Sequence, residues 1–293
     1  MKPVSIMGCG YVGARLLRYL PDSVQVTAVT RNPATCRALE ALGVKAVAAN
    51  LDEGVPVLPT RAAELFYFAP PPPQGSSECR LRRFLAAIDL TRLPRRIVYI
   101  STSAVYGDCQ GQWITEQQPL KPGTDRGRRR ADAEQALLDW MAQTGVPVVI
   151  LRVPGIYGPG KLPLSRLKKG LPLLREEDSP YTNRMHVDDL VSACLAAMEK
   201  GHPGAAYHVS DGQPSNMTDY FNRIAEVFGL PRPPTVSRAE AATALSKGMR
   251  GFMDESKRLD ITRMQQELGV VLRYASLEAG LLHCSQGSIT VKE

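Results

Sequence analysis

The first residues whose types and spacing could do chemistry are three glycines near the start of the chain. Gly8, Gly10 and Gly13 follow a short apolar segment and precede a helix-like pattern. In a strand-turn-helix unit, the first glycine permits the tight turn, the second lets a pyrophosphate approach the backbone, and the third lets the helix pack on the strand. The helix N terminus would face the phosphates with unpaired N–H groups. The residues predicted to contact a dinucleotide here are Gly8, Gly10, Tyr11, Val12 and Gly13.

A second candidate is Arg31, which comes just after the predicted strand 24–29. An NAD site usually has an Asp or Glu at this position, which accepts hydrogen bonds from the ribose 2′-OH and would repel a 2′-phosphate. A guanidinium can instead hold a 2′-phosphate in a forked contact and lie against the adenine. Arg31 therefore favours NADP over NAD as the cofactor. The alternative interpretation is an ordinary solvated arginine in a loop.

Length and composition indicate a globular protein of one or two domains. The chain has 293 residues, of which 44% are hydrophobic and 22% are charged, so disorder is not expected. It shows neither a signal-peptide pattern nor an apolar run of the roughly 20 residues that span a bilayer. Six scattered cysteines form no CxxC pair or ligand-like spacing, which predicts reduced thiols, no metal site and a cytoplasmic location.

The basic residues suit an anionic ligand, because the net charge is +7. They cluster in short groups that are dispersed along the chain without interleaved aromatic residues. This pattern favours solvated faces over a nucleic-acid interface, so binding of nucleic acid is not expected. A membrane partner is not expected either, because the sequence has no spanning apolar run. The groups lie at residues 80–83, 95–96, 126–130 and 168–169.

Alternating strand and helix patterns must position these residues. We predict strands at residues 3–7, 24–29, 44–48, 65–69, 96–101, 147–152 and 206–209. Such alternation predicts an α/β fold, a Rossmann-type doubly wound parallel sheet with helices on both faces. Ligands then bind outside the carboxyl ends of the strands. Further predicted cofactor contacts at these ends are Asn50, Leu51, Ala69, Pro70 and Pro154. The four prolines 70–73 form either a wall of the site or a rigid loop without a role in binding.

Two regions are predicted. Residues 1–154 and 184–212 would form the dinucleotide-binding core, and residues 155–183 and 213–293 a smaller C-terminal substrate lobe. Helical spacing of apolar residues at 217–228 supports the lobe, which would enclose a pocket over the strand ends.

Several ordered segments resemble the extended short-chain dehydrogenases/reductases, the NAD-dependent epimerase/dehydratase family. The segment 97–108 resembles that family's Ser-Ser/Thr…Val-Tyr-Gly motif, and 151–160 its Arg…Tyr-Gly-Pro loop. The segment 184–191 resembles its His-Val-Asp-Asp helix start. The last core strand and the C-terminal helix are matched by 207–212 and 256–269. The resemblance thus spans nearly the whole chain.

The His-Val-Asp-Asp segment also has a structural interpretation. Asp188 and Asp189 at the start of an apolar helix would cap its N–H groups and favour its dipole. His186 is interpreted as a packed, hydrogen-bonded histidine rather than as a catalyst.

The resemblance implies a catalytic Tyr-x-x-x-Lys pair, and this chain departs from it. Counting back from Glu134, which matches the family's Glu after the lysine, places Arg130 at the lysine and Arg126 at the tyrosine. The sequence has no tyrosine between Tyr106 and Tyr157. Arginine, whose pKa lies above 12, cannot act as an acid or base near neutral pH, although Arg130 could still reach ribose hydroxyls.

The resemblance also implies a hydroxyl residue that acts beside the catalytic tyrosine, and this position aligns with Thr102. Dehydratases of the family carry an Asp-Glu pair directly after it, but Ser103 and Ala104 stand here, which disfavours dehydration. Extended members usually have GxxGxxG, whose first glycine would fall on Met7, so the chain resembles an atypical member. The residues predicted at the catalytic position are Thr102, Arg126 and Arg130.

Two functions remain open. The chain is either an NADP-dependent oxidoreductase or epimerase-like enzyme, or an inactive NADP(H)-sensing module that signals to a partner. In the enzyme, Tyr106, Tyr157, a water or a substrate group would supply the proton. The expected substrate is a nucleotide-sugar or a small carbonyl compound, and a homodimer is left open.

Overall fold

The computed structural model describes residues 2–287. The strands are β1 Val4–Met7, β2 Val26–Thr30, β3 Lys45–Ala48, β4 Glu64–Tyr67, β5 Arg96–Thr102, β6 Trp113–Ile114, β7 Val148–Val153, β8 Gly155–Tyr157, β9 Leu173–Leu174, β10 Tyr181–Thr182, β11 Arg184–His186, β12 Ala206–His208, β13 Ser215–Asn216, β14 Thr235–Val236 and β15 Arg258–Leu259. The helices are α1 Tyr11–Leu17, α2 Pro33–Glu40, α3 Cys79–Ala86, α4 Asp125–Thr144, α5 Leu164–Lys168, α6 Val187–Lys200, α7 Met217–Val227, α8 Ala241–Ala244, α9 Lys247–Met253, α10 Thr262–Leu268 and α11 Leu277–Gly287. Short 3₁₀ helices cover Ser103–Tyr106 and Glu176–Asp178.

The core of the molecule is a parallel sheet in the order β12-β7-β5-β4-β1-β2-β3. All seven predicted strands lie in it, so the predicted sheet is confirmed. Ile6 in β1 pairs with Ala28 in β2 and with Phe66 in β4. These short apolar runs form a buried parallel sheet because both of its faces are covered by helices.

Neighbouring residues of one strand show how the two faces are filled. Phe66 packs into a cluster with residues of α1, α2, α6 and α10, such as Leu16 and Leu190. Tyr67 points to the opposite face and packs with α3 and α4 through Phe84 and Leu137. The sheet is therefore doubly wound, as the sequence predicts.

The chain reverses its direction across the sheet at β1. Strands β2 and β3 extend to one side of β1, and β4, β5, β7 and β12 extend to the other. In such sheets the ligand crevice lies outside the carboxyl ends of the strands at the reversal point. Here that point is between β1 and β4.

Short paired segments and helices form a third cluster beyond the sheet. Strand β8 pairs with β11, and β9 with β14. Tyr157, Leu167, Phe221 and Leu281 pack together under α5, α7 and α11. The helix predicted at 217–228 is confirmed as α7. Residue 1 of the predicted core and residues 288–293 of the predicted lobe lie outside the described residues.

Helix α4 carries the arginines predicted at the catalytic position. Thr124 caps its start, since Thr124 Oγ1 accepts a hydrogen bond from Gly127 N at 3.2 Å. Gly145 ends it in the left-handed conformation, with φ +73°. Between residues 2 and 287, every helix is too short or too polar to cross a lipid bilayer.

Candidate functional site

The predicted site residues lie along one edge of the central sheet, which we call the carboxyl edge. Because the seven strands are parallel, the loops after β3, β2, β1, β4, β5 and β7 all begin at this edge. Arg31 lies on one side of the glycine turn and Thr102 on the other. In spatial order the loop residues are Asn50 and Leu51, Arg31, Gly8 to Gly13, Ala69 and Pro70, Thr102, and Pro154.

The three glycines have three different environments. Gly8 has φ +89°, and a Cβ there would lie 2.4 Å from Ala69 N, so the turn has no room for a side chain. A Cβ on Gly13 would lie 3.0 Å from Cys9 Sγ and 3.3 Å from Ile6 Cγ2, because α1 packs closely on β1. A Cβ on Gly10 would meet no described atom within 4 Å. The backbone at Gly10 therefore faces open space at the start of α1.

Tyr11 joins the glycine turn to a loop on the other side of the crevice. Its Oη donates to Pro159 O at 3.0 Å, and Lys161 Nζ lies 5.6 Å from the centre of its ring. Burial raises the pKa of Tyr11 to about 12. The next residue, Val12, is half-buried and packs on the core. The side chain of Tyr11 thus links the glycine turn to the loop that contains Pro159.

Arg31 is exposed at the end of β2, directly before α2. Asn32 caps that helix, since its Oδ1 accepts from Ala34 N at 2.8 Å. Beyond β3, Asn50 donates to Glu53 Oε1 at 2.8 Å, while Leu51 is buried. The Arg31 side chain is therefore accessible beside the glycine turn.

Arg80 organises the proline segment, which sequence reasoning missed. Its Nε donates to Asp52 Oδ1 at 2.7 Å, and its Nη1 donates to Pro70 O at 3.0 Å and Pro71 O at 3.2 Å. The hydrogen bond from Arg80 and its charge lower the pKa of Asp52. The prediction that the cluster 80–83 lies on a solvated face is wrong for Arg80, which is 7% exposed. It is buried because it satisfies carbonyls of prolines and one carboxylate.

Thr102 and Arg130 both lie near the end of β5. Thr102 Oγ1 accepts a hydrogen bond from Ala104 N at 3.4 Å and caps the 3₁₀ helix. Arg130 Nη1 donates to Tyr99 Oη and to Ile100 O, both at 2.8 Å. The guanidinium of Arg130 is thus held against β5, two residues before Thr102.

Arg126 lies one helical turn before Arg130, at the start of α4. A Cβ on the next residue, Gly127, would lie 2.5 Å from Ala104 O, so this turn packs tightly against the loop after β5. Arg126 keeps exposed surface, yet partial burial of its guanidinium lowers its pKa, as does the charge of Arg130. Both arginines predicted at the catalytic position therefore lie near the end of β5.

Tyr106 does not replace the missing tyrosine, because a buried polar network holds its hydroxyl. Arg152 Nη1 donates to Tyr106 Oη at 2.6 Å, and Tyr106 Oη lies 2.6 Å from His208 Nε2. Arg152 Nη2 also donates to Glu134 Oε2 at 2.7 Å, and Glu134 accepts from Ser101 Oγ. Burial raises the pKa of Tyr106 despite the charge of Arg152. This network fixes β5 and β7 beneath the carboxyl edge.

Tyr157 is also unsuited to donate a proton to a ligand. It is 1% exposed, and its Oη has no hydrogen-bond partner among the described residues. Helix α11 covers it so closely that a Cβ on Gly280 would lie 2.1 Å from that oxygen. Burial strongly raises the pKa of Tyr157. Tyr157 and Lys161 lie outside any common helix, as the sequence predicts.

The start of α6 differs in detail from the predicted capping. His186 caps the helix, since its Nδ1 accepts from Asp188 N at 3.2 Å. Asp188 instead binds Arg15, and Asp189 accepts from the backbone N–H groups of Arg273 and Tyr274, both at 2.9 Å. The predicted capping by the two aspartates is wrong because tertiary partners bind their carboxylates. The prediction of a packed His186 is confirmed, and burial lowers its pKa to about 4.

Within the described residues, His186, Asp188 and His283 lie close enough together to suggest a metal site. The hydrogen bonds oppose this. Since His186 Nδ1 is an acceptor, the proton of the neutral ring lies on Nε2, which faces His283 Nδ1 at 3.3 Å. Both carboxylate oxygens of Asp188 bind Arg15. The group therefore fits a hydrogen-bonded pair of histidines.

A buried ion pair beside Arg126 was missed by sequence reasoning. Lys257 Nζ lies 2.7 Å from Glu255 Oε2, and their side chains are 6% and 14% exposed. The charge of Glu255 also acts on Arg126 and opposes the lowering of its pKa. The spacing of two residues in an extended segment is the signal that could have placed both side chains on one face.

The comparisons with known proteins agree with this geometry. Residues 80–210, which include β5, α4 and β7, match the model described as "NAD dependent epimerase/dehydratase family". A solved structure titled as a functionally unknown conserved protein from Silicibacter pomeroyi DSS covers 99% of this chain and is itself covered completely, with 31% identity and a TM-score of 0.85. The chain belongs to the NAD dependent epimerase/dehydratase family. The predicted family is therefore confirmed.

Another structural neighbour shows the fold. The dTDP-glucose 4,6-dehydratase of Bacillus anthracis, solved in complex with NAD, has a TM-score of 0.79 and 17% identity, covering 100% of this chain and 98% of its own. Among curated relatives, protein YeeZ of Escherichia coli K12 is 29% identical over 184 residues, which are 62% of this chain and 60% of YeeZ. Protein y4nG of Sinorhizobium fredii is 28% identical over 201 residues, which are 62% of this chain and 50% of y4nG. The chain thus spans about half the length of such curated relatives.

Proposed function

We propose that this protein is an NADP-dependent oxidoreductase or epimerase-like enzyme, an atypical short-chain dehydrogenase/reductase that lacks the usual tyrosine. The observation that carries the proposal is the glycine turn. Gly8 and Gly13 are packed against Ala69 and Cys9, whereas the backbone at Gly10 faces open space at a helix start. This arrangement suits a pyrophosphate.

The preference for NADP rests on Arg31. The structural neighbour from Bacillus anthracis is titled as a complex with NAD. In this chain an exposed guanidinium lies beside the glycine turn, where a 2′-phosphate would be accommodated. Asn50, Leu51, Ala69 and Pro70 would line the adenosine half.

The other half of the coenzyme would extend toward Thr102, Arg130 and Pro154. When bound, the coenzyme supplies or accepts a hydride. Arg130 would donate to ribose hydroxyls in the role of the family's lysine. The hydroxyl of Thr102 can bond to a substrate oxygen. A water or a group of the substrate would provide the proton, because Tyr106 and Tyr157 are buried.

The substrate would lie between a dinucleotide core, residues 1–154 and 184–212, and a lobe, residues 155–183 and 213–293. A polar cavity of about 370 Å³ is lined by Asp108 from the loop after β5 and by Arg238 and Asp254 from the proposed lobe. Charged groups from both regions suit a polar small molecule, a nucleotide-sugar or a small carbonyl compound.

Two measurements test this function. Calorimetry on the nucleotide-free protein should show saturable binding of NADP⁺ that is tighter than binding of NAD⁺. A steady-state screen with NADPH should then find oxidation by at least one nucleotide-sugar or small carbonyl compound. Failure to bind any pyridine nucleotide would refute the proposal.

The second candidate is an NADP(H) sensor. It is favoured by the burial of Tyr106 and Tyr157, the two tyrosines considered as proton donors. Tight NADPH binding without turnover, coupled to a change in affinity for a protein partner, would support the sensor and contradict the enzyme.

A further inference from the structure

We infer that the substrate of the proposed enzyme carries an oxyanion, a carboxylate or a phosphate, which Arg126 binds at the carboxyl edge. The inference rests on the proposed function and specifies its substrate class. Arg126 occupies the position where the family's tyrosine would face the substrate, and a guanidinium there serves anion binding rather than proton transfer.

The position of Arg126 is fixed by the packing of its neighbour. At Gly127 a Cβ would lie 2.5 Å from Ala104 O and 2.9 Å from Pro122 Cβ. The first turn of α4 therefore lies directly on the loop that follows Thr102. The hydrogen bond from Gly127 N to Thr124 Oγ1 also holds this turn. The side chain of Arg126 thus begins at a defined place beside the end of β5.

A second guanidinium lies on the same face of α4. Arg130 follows Arg126 by four residues, a spacing that places side chains next to each other on a helix. Its hydrogen bonds to Tyr99 Oη and Ile100 O, both 2.8 Å long, hold it in place. Like charges at this spacing destabilise a helix, so the pair carries a cost that an anion would relieve.

Charges of both signs act on Arg126. Arg129 and Arg130 repel it, and Glu255 attracts it. However, Glu255 already binds Lys257 Nζ at 2.7 Å, so its charge is shared with a second cation. Arg126 itself keeps exposed surface. Guanidinium groups that lie near one another on a helix are the chemistry that recognises an oxyanion.

The proposed anion site at Arg126 lies apart from the sites proposed for the phosphates of the coenzyme. The pyrophosphate and the 2′-phosphate would lie at Gly10 and Arg31, after β1 and β2. Arg126 lies beside β5, two strands beyond β1 in the opposite direction. The anion bound by Arg126 is therefore part of the substrate.

The test compares charged and neutral probes on the protein saturated with NADP⁺. Pyruvate and methyl pyruvate form one pair, and dihydroxyacetone phosphate and dihydroxyacetone form the other. Calorimetry should show at least one charged probe binding ten or more times tighter than its neutral partner. Arg126→Gln should abolish this preference. Arg128→Gln should retain it, because Arg128 is exposed and pairs with Asp125 at 2.8 Å.

The outcomes separate the inference from the proposed function. NADP⁺ affinity should stay within twofold in both variants. If NADP⁺ binds but no charged probe is preferred, or if Arg126→Gln keeps the preference, the inference is overturned while the proposed function stands. If NADP⁺ does not bind the unmodified protein, both are overturned. The pair that responds tells whether the oxyanion is a carboxylate or a phosphate.

Discussion

Arg15 on α1 binds both carboxylate oxygens of Asp188 at the start of α6, with Arg15 Nη2 donating to Asp188 Oδ2 at 2.8 Å. The two residues are 173 positions apart in the chain. The ion pair joins the helix that follows the glycine turn to a helix of the opposite sequence half. It thereby holds α1, the helix that follows the proposed phosphate site, against α6.

We expect Asp188→Asn to destabilise the protein by about 2 kcal/mol. The substitution leaves the partly buried Arg15 without its charged acceptor, and hydrogen bonds to charged groups contribute about 1.5–3 kcal/mol. Urea unfolding measures the loss. Asp139→Asn is the control, since Asp139 is exposed and accepts one hydrogen bond from Gln135. Equal effects of the two substitutions would show that the ion pair is unimportant.

Removal of the Tyr106 hydroxyl should lower the stability of the protein, whereas removal of the Tyr157 hydroxyl should not. Tyr106→Phe removes contacts to Arg152 and His208 and should cost about 2 kcal/mol, because their buried polar groups lose a partner. Tyr157→Phe removes a buried hydroxyl without a described hydrogen-bond partner and should leave stability unchanged or raise it by up to about 1 kcal/mol. Chemical denaturation of both variants gives the comparison. A larger loss for Tyr157→Phe than for Tyr106→Phe would contradict the assigned networks.

Acid should destabilise the fold through two buried histidines. Burial lowers the pKa of both His186 and His208 to about 4, from 6.5. The unfolded chain therefore takes up protons first, and stability present above pH 6.5 is lost as the pH falls toward 4, by about 3 kcal/mol for each histidine at most. Unfolding free energies between pH 4 and 8 measure this slope. His208→Gln should flatten it and His202→Gln, at an exposed site, should not.

The buried carboxyl group of Asp211 should oppose the loss of stability that the two histidines cause as the pH falls. Burial raises its pKa from 3.8 to about 6, so the folded state binds a proton that the unfolded state releases between these values. Its contribution becomes less favourable as the pH rises through this range. Asp211→Asn should therefore steepen the loss of stability from pH 6 to 4, as followed by the same unfolding measurements. A shallower slope in this variant would contradict the direction of the shift.

The first two glycines of the turn should separate folding from binding. Gly8→Ala places a methyl group 2.4 Å from Ala69 N at φ +89° and should cost at least about 3 kcal/mol. Gly10→Ala meets no described atom, so it should cost about 1 kcal/mol or less. The added methyl group would still occupy the space proposed for the pyrophosphate. Thermal unfolding together with NADP⁺ titration would reveal the difference. Undiminished affinity in Gly10→Ala would place the phosphates elsewhere.

The sheet was predictable because its strands carry a strong local signal. The apolar runs that became β5 and β7 are flanked by turns, and their parallel pairing follows from the alternation with helices. The two-residue pairs, such as β9 with β14, were not predicted. A segment of two residues shows no periodicity, and its pairing depends on the tertiary structure around it.

The shape of the candidate site was predictable where backbone geometry determines it, as in the tight turn at Gly8 and the close packing at Gly13. It was not predictable where charged side chains bind each other across the fold. Arg80 was predicted on a solvated face, and the sequence does not show the partners of Arg80 or Arg152. Both arginines are buried because Asp52 and Glu134 reach them from distant segments. The sequence made Tyr106 a candidate proton donor, but its hydroxyl is held by hydrogen bonds to Arg152 and His208 in the structure.

The measurement that tests the account most directly is calorimetric titration of the nucleotide-free protein and its Arg31→Asp variant with NADP⁺ and NAD⁺. We predict that the unmodified protein binds NADP⁺ at least tenfold tighter than NAD⁺, and that Arg31→Asp loses or reverses this preference. Equal or tighter binding of NAD⁺, with a ratio unchanged in the variant, would contradict the cofactor assignment. Absence of binding to either nucleotide would contradict the proposed site itself.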